Sequence, residues 1–105
     1  MHLDVDPSRR SVRLAEPADF TALSVVVTGT RDDNLLRAAL VGWAEFDGAH
    51  AWLDIERLEA ELGSLLTADP DWRQRFTGML GYARASGWLD ESGRAVRAHC
   101  RWTSQ

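Results

Sequence analysis

The sequence contains no lysine, one cysteine, one isoleucine and three prolines. A single cysteine excludes an intrachain disulfide and a cysteine-rich zinc module. No apolar run approaches the roughly 18 residues of a membrane span, so no membrane partner is expected. The opening Met-His-Leu-Asp-Val-Asp has neither the basic start nor the apolar stretch of a signal peptide, and a cytoplasmic location is the expectation. There is no internal repeat, low-complexity stretch or linker. No glycine-rich phosphate loop follows a strand, and no Gly-x-Ser-x-Gly occurs. The absence of lysine, with abundant alanine, matches the usage of a GC-rich genome.

What is present suits one small soluble domain spanning residues 1–105. The 105 residues are 45% hydrophobic and 27% charged, and a chain of this size buries roughly 65% of its unfolded surface without staples. Five tryptophans, at 43, 52, 72, 88 and 102, make up for scarce isoleucine as core material, with one or two expected to be partly exposed. Charge is uneven along the chain. Residues 45–71 carry eight acids against Arg57, whereas residues 72–105 carry six arginines against Asp90 and Glu91. Such a dipole can close on itself, pair head to tail, or offer its basic third to an anion.

Residues 1–30 read as β-rich. Leu3–Asp6 and Ser11–Leu14 alternate apolar and polar residues around Pro7-Ser8, and Ala22–Thr28 is rich in β-branched residues and ends at Gly29. Residues 31–102 read as helix, strand, helix, helix and hairpin. Asp32 or Asp33 caps a helix with Leu35, Leu36, Ala39, Leu40 and Trp43 at helical spacing. Asp47-Gly48 turns the chain into a short strand at 49–53, and Asp54 caps a helix carrying Ile55, Leu58 and Leu62 that Gly63 stops. Asp69-Pro70-Asp71 starts a third helix, with Trp72, Phe76, Met79, Leu80 and Ala83 on one face. Trp88-Leu89, a turn at 90–93 and a strand at 94–102 complete the hairpin. The expected core includes Leu35, Leu40, Trp43, Leu58, Phe76, Leu80, Val96 and Cys100.

From Asn34 to Trp102 this order resembles a winged helix, the helix-turn-helix variant in which a hairpin follows the recognition helix. Trp52-Leu53 stands for its small strand, Ile55–Leu62 for its second helix, Pro70–Ser86 for its recognition helix, and the run from Gly87 to Arg94 for the approach to the wing. The resemblance implies an α+β domain with an antiparallel sheet, three helices and an N-terminal β extension. It also implies a nucleic-acid reader in which Arg73, Gln74 and Thr77 meet phosphates or base edges. The alternative is one larger sheet that joins the early strands to the hairpin, with no winged helix.

Two constellations stand out as binding features. In the last strand Arg97, His99 and Arg101 fall on one face, spaced about 6.5–7 Å apart, a ladder suited to phosphates or carboxylates. Arg73 and Arg75 on the third helix could join it. Internal pairing of the ladder with the acidic block is the expected outcome. On the same helix Gly78, Gly81 and Ala85 form a smooth patch that admits a second backbone, either within the fold or across a dimer seam.

Catalytic and metal-binding signals are weak. His50 and Asp54 straddle a strand-to-helix junction, while His99 and Cys100 are adjacent on a strand and face opposite ways. No catalytic residue, metal or cofactor is therefore expected. The first reading of function is a non-catalytic binding or adaptor protein that contacts a protein partner or itself as a homodimer. The alternatives are a winged-helix-type nucleic-acid-binding regulator using the basic C-terminal third, and a small enzyme or anionic-metabolite-binding protein with His50 or His99 as acid–base.

Overall fold

A computed structural model describes residues 1–103. Its strands are β1 (His2–Asp6), β2 (Ser11–Ala15), β3 (Ser24–Thr28), β4 (Ala44–Phe46), β5 (His50–Asp54) and β6 (Ala95–Thr103). Its helices are α1 (Asp33–Ala39), α2 (Ile55–Leu65) and α3 (Trp72–Ala85). Local chemistry explains most boundaries. Pro7 opens one 3₁₀ turn between β1 and β2, closed by Arg10 at φ 49°. The Asp32 carboxylate accepts from the Leu35 N–H at 3.1 Å and that of Asp54 from the Arg57 N–H at 3.1 Å, so each satisfies a donor left free at a helix start.

Three local expectations are corrected. α1 ends at Ala39, and Gly42 at φ 87° turns the chain so that Trp43 leads into β4, a strand the helical spacing concealed. α2 runs through Gly63 to Leu65. There the Trp72 indole lies alongside, 3.5 Å from where a β-carbon at position 63 would stand. α3 begins at Trp72, two residues beyond Pro70, because the Asp69 carboxylate folds back onto the Asp71 N–H at 3.0 Å and binds Arg75.

The six strands form one sheet in the order β2-β1-β3-β6-β5-β4. The expectation of an antiparallel sheet is corrected to a mixed one. β1/β2, β4/β5 and β5/β6 are antiparallel, whereas β1/β3 and β3/β6 are parallel. β2 returns the chain to the starting end of β1, so β3 sets out from that end and must run with β1. The expected C-terminal hairpin contracts on its first arm to a single bridge, Leu89 with Val96. Its turn is held by the Asp90 carboxylate, which accepts from the Arg94 and Ala95 N–H groups.

Register places the core side chains of the sheet, Ala15 apart, on one face. Leu3 and Val5 align with Leu14 and Val12, and with Val25 and Val27. The row continues through Cys100, Ala98 and Val96 to Ala51 and Leu53, then to Phe46 and Ala44. All three helices cover this face, through Leu36, Ala39 and Leu40 of α1, Leu58 and Leu62 of α2, and Trp72, Phe76 and Ala83 of α3. The result is a single α+β domain of two layers, consistent with its shortest extent of 21 Å. Within the core, Leu36 takes the place expected of Leu35, which is 45% exposed, and Leu80 is only half-buried. Trp43 and Trp72 are buried, whereas Trp52, Trp88 and Trp102 are half-buried, one more than expected.

Candidate functional site

With the helices on one side, the other sheet face is open. At its β1/β2 end the charges satisfy one another. Asp4 lies 3.1 Å from His2 and 3.0 Å from Arg13, and Asp6 lies 3.7 Å from Arg9. The β6 end differs. Arg97 is half-buried, and His99 and Arg101 are exposed. Register sets His50 and Trp52 of β5 directly beside His99 and Arg97, and Ser24 and Val26 of β3 beside His99 and Arg101. Among the described residues no carboxylate lies within 4 Å of Arg97 or Arg101, which overturns the expected internal pairing. The acidic block is spent elsewhere: Glu59 binds Arg73 and Asp69 binds Arg75, both on α3. Among the described residues the guanidinium groups of β6 thus have no carboxylate partner, while those of α3 nearest its N-terminus are tied down.

A cleft adjoins the ladder. β3 pairs with β6 only over His99–Thr103, and the preceding stretch of β6 meets Trp88 and Leu89 instead, with the Arg97 N–H donating to the Trp88 carbonyl at 2.8 Å. Between the diverging segments the sheet has a notch. Together with the gap beneath α3 it forms a cleft of about 880 Å³. One wall is α3, through Gly78, Met79, Tyr82 and Ala83. The other is the segment entering β3, through Phe20, Ala22 and Leu23. Trp88 and Val96 lie between them, and His50, Arg97 and His99 line its polar end.

Aromatic contacts and hydrogen bonds hold the walls. Phe20 packs against Phe76 with ring centroids 6.4 Å apart, and the Arg75 guanidinium sits 5.0 Å from the Phe20 ring. Tyr82, 67% exposed, meets Trp88 edge-on at 5.6 Å. The Met1 amino group donates to the carbonyls of Asp19 and Ala22 at 2.7 and 2.9 Å. The Asp19 carboxylate accepts from the Thr21 hydroxyl and N–H. Those bonds, the hydroxyl first, hold its pKa below the ordinary carboxylate value, so it is ionised at neutral pH.

The remaining residues singled out from the sequence do not gather into a reaction centre. Cys100 lies on the helix-covered face, and burial pushes its thiol pKa up, away from nucleophilic use. Among the described residues no three His, Cys, Asp or Glu side chains are placed to hold a metal ion. Gly78, Gly81 and Ala85 are exposed, and a β-carbon at either glycine would meet nothing within 4 Å, so the patch packs on nothing within the chain. Arg73, Gln74 and Thr77 are exposed on α3. Among the described residues no helix is long and apolar enough to cross a membrane.

Sequence reasoning found the ladder but missed the cleft, whose lining joins Phe20 and its neighbours to His50, to Met79, Tyr82 and Trp88, and to Arg97 and His99. The one local signal was Gly78, an opening in the helix wall that reads equally well as a packing surface. No family model, curated protein or solved structure matches the chain.

Proposed function

We propose that the protein is a non-catalytic binding protein whose ligand is an anion held at Arg97, His99 and Arg101 of β6. The observation that carries this reading is that, among the described residues, neither arginine of the ladder has a carboxylate within 4 Å, while Arg97 and His99 line the polar end of an apolar cleft of a size typical of ligand sites. Unpaired guanidinium groups beside low-dielectric walls attract anions more strongly than the same groups in open solvent. The reading is non-catalytic because the one carboxylate of the cleft lining is held by its own turn and the only thiol lies in the core. A groove-reading role for α3 has less support, since Arg73 and Arg75 are both neutralised by acids of this chain.

The test compares the wild type with Arg97→Ala plus Arg101→Ala. Arg101 is exposed and Arg97, though half-buried, has no carboxylate within 4 Å among the described residues; surface changes without such partners shift stability by about 0.5 kcal/mol or less, so the double variant should melt near the wild type. A panel of carboxylates and phosphates should contain a ligand that stabilises the wild type by about 2.7 kcal/mol at a hundredfold excess over its Kd, with no shift in the variant. Destabilisation of the ligand-free variant by more than about 1 kcal/mol would make the ladder structural. Equal shifts in both proteins would place the anion elsewhere. Binding to single- or double-stranded nucleic acid with a steep salt dependence, lost in the variant, would replace the small anion with a polynucleotide.

A further inference from the structure

The cleft specifies the ligand further, and this step rests on the anion-binding reading above: we infer that it takes a small monocarboxylic acid with an apolar body, the carboxylate at Arg97 and His99 and the body between α3 and the Phe20 segment. Three observations lead there.

The first is the division of the lining. Phe20, Leu23, Met79, Trp88 and Val96 offer hydrocarbon and aromatic surface, and the imidazoles of His50 and His99 and the guanidinium of Arg97 are grouped at one end. A ligand that fills such a site has one charged end and one apolar end.

The second is charge. Arg75, the other cation of the lining, is already bound to Asp69. The ionised Asp19 also faces the cleft. One guanidinium without a carboxylate partner among the described residues, with the Asp19 carboxylate elsewhere in the lining, suits a single negative charge and disfavours the second charge of a phosphate monoester. A planar carboxylate also matches the two-pronged donor geometry of arginine.

The third is Gly78. It sits inside α3, where glycine weakens a helix, and it needs no unusual backbone angle and makes room for no neighbour in this chain. It does line the cleft. A side chain there would occupy the space the ligand body requires, which gives the glycine a use that internal packing does not.

The experiment is a calorimetric series of straight-chain carboxylates from acetate to octanoate, below micellar concentrations, with octanol and octyl phosphate as comparison arms. Each methylene that enters the cleft should tighten binding about fourfold until the cleft is full. Octanol should bind at least tenfold more weakly than octanoate, and octyl phosphate no more tightly. Gly78→Leu should flatten the chain-length dependence while leaving the weak affinity for acetate. Gly81→Leu, the same change three residues along the helix and outside the cleft lining, should leave the whole series intact. Arg97→Ala should weaken every acid and leave octanol unchanged.

The outcomes separate the two readings. Anion binding with no chain-length dependence in the wild type would overturn the cleft assignment and leave the ladder as an anion site. Retention of the full dependence in Gly78→Leu would likewise place the apolar body elsewhere. Octyl phosphate binding tenfold more tightly than octanoate would replace the carboxylate with a phosphate. No binding of any anion, in the series or the wider panel, would remove both readings.

Discussion

Replacing Gly81 with alanine should stabilise the protein. Gly81 lies in the interior of α3, a helix of 14 residues, with an ordinary helical φ. In such a place glycine costs about 1 kcal/mol relative to alanine, because it has more backbone freedom to lose on folding. A methyl group normally recovers that amount only if it fits, and here it meets no atom within 4 Å. The expected gain is therefore about 0.5–1 kcal/mol with no opposing steric term. For a domain of this size each kcal/mol moves the melting temperature by about 4–8 °C, so thermal unfolding followed by circular dichroism resolves the change. Sedimentation and melts at several protein concentrations complete the assay. A lower melting temperature for Gly81→Ala would refute the reasoning. So would a parent protein whose stability rises with concentration while that of the variant does not. Either result would mean that the patch is covered by a second copy of the chain, as a dimer seam requires, and that the methyl group collides with it.

Leu36→Ala should cost about 2–5 kcal/mol, because the side chain is fully buried among α1, the sheet and its neighbours, whereas Leu35→Ala should cost about 0.5 kcal/mol. Urea denaturation midpoints of the two variants decide this, and equal shifts would contradict the helix phase. Asp47 accepts hydrogen bonds from the Trp52 indole and from the His50 and Ala49 N–H groups, in that order of effect, and these lower its pKa to about 2. A carboxylate depressed on folding stabilises the protein at pH values above its unfolded pKa, and the contribution fades as pH falls toward the folded value. The stability gap between wild type and Asp47→Ala should therefore be full at neutral pH and close between 3.8 and about 2; a gap that persists undiminished at pH 2 would contradict the assignment.

How far the fold was legible can be read from particular residues. The strands containing Leu3 and Val5, Val25 and Val27, and Val96, Ala98 and Cys100 were legible because strict alternation has one physical meaning when a single sheet face is buried. Direction was not legible, since alternation is the same in parallel and antiparallel strands. Leu35-Leu36 was ambiguous because one residue is a rotation of about 100° on a helix, and only the neighbouring layer decides which leucine it covers. β4 was hidden because Trp43 continues the helical spacing of α1 while Gly42 has already turned the chain. Of the candidate site, the facing of Arg97, His99 and Arg101 followed from the pattern. Their lack of a carboxylate partner among the described residues did not, because Glu59 and Asp69 of the acidic block are placed by α2 and its following loop against α3. The cleft is a property of segments far apart in the chain and of their spacing, which no single stretch encodes.

The position of β6 has a consequence for assembly. In the sheet it is the sole bridge between the β2-β1-β3 group and the β5-β4 pair. Its bond from the Thr103 hydroxyl to the Val27 carbonyl spans a separation of 76 residues. Closing so long a loop costs entropy before any pairing repays it, so the seam forms late compared with the local hairpins on either side. Until then β3 and β5 present raw edges to solvent, the condition under which strands add to foreign chains. The ladder is carried on this same strand, so an occupant that touches β5, β6 and β3 together would clamp the two groups across their last-formed joint. Occupancy would then slow unfolding more than it speeds folding, because its contacts exist only after the joint has closed.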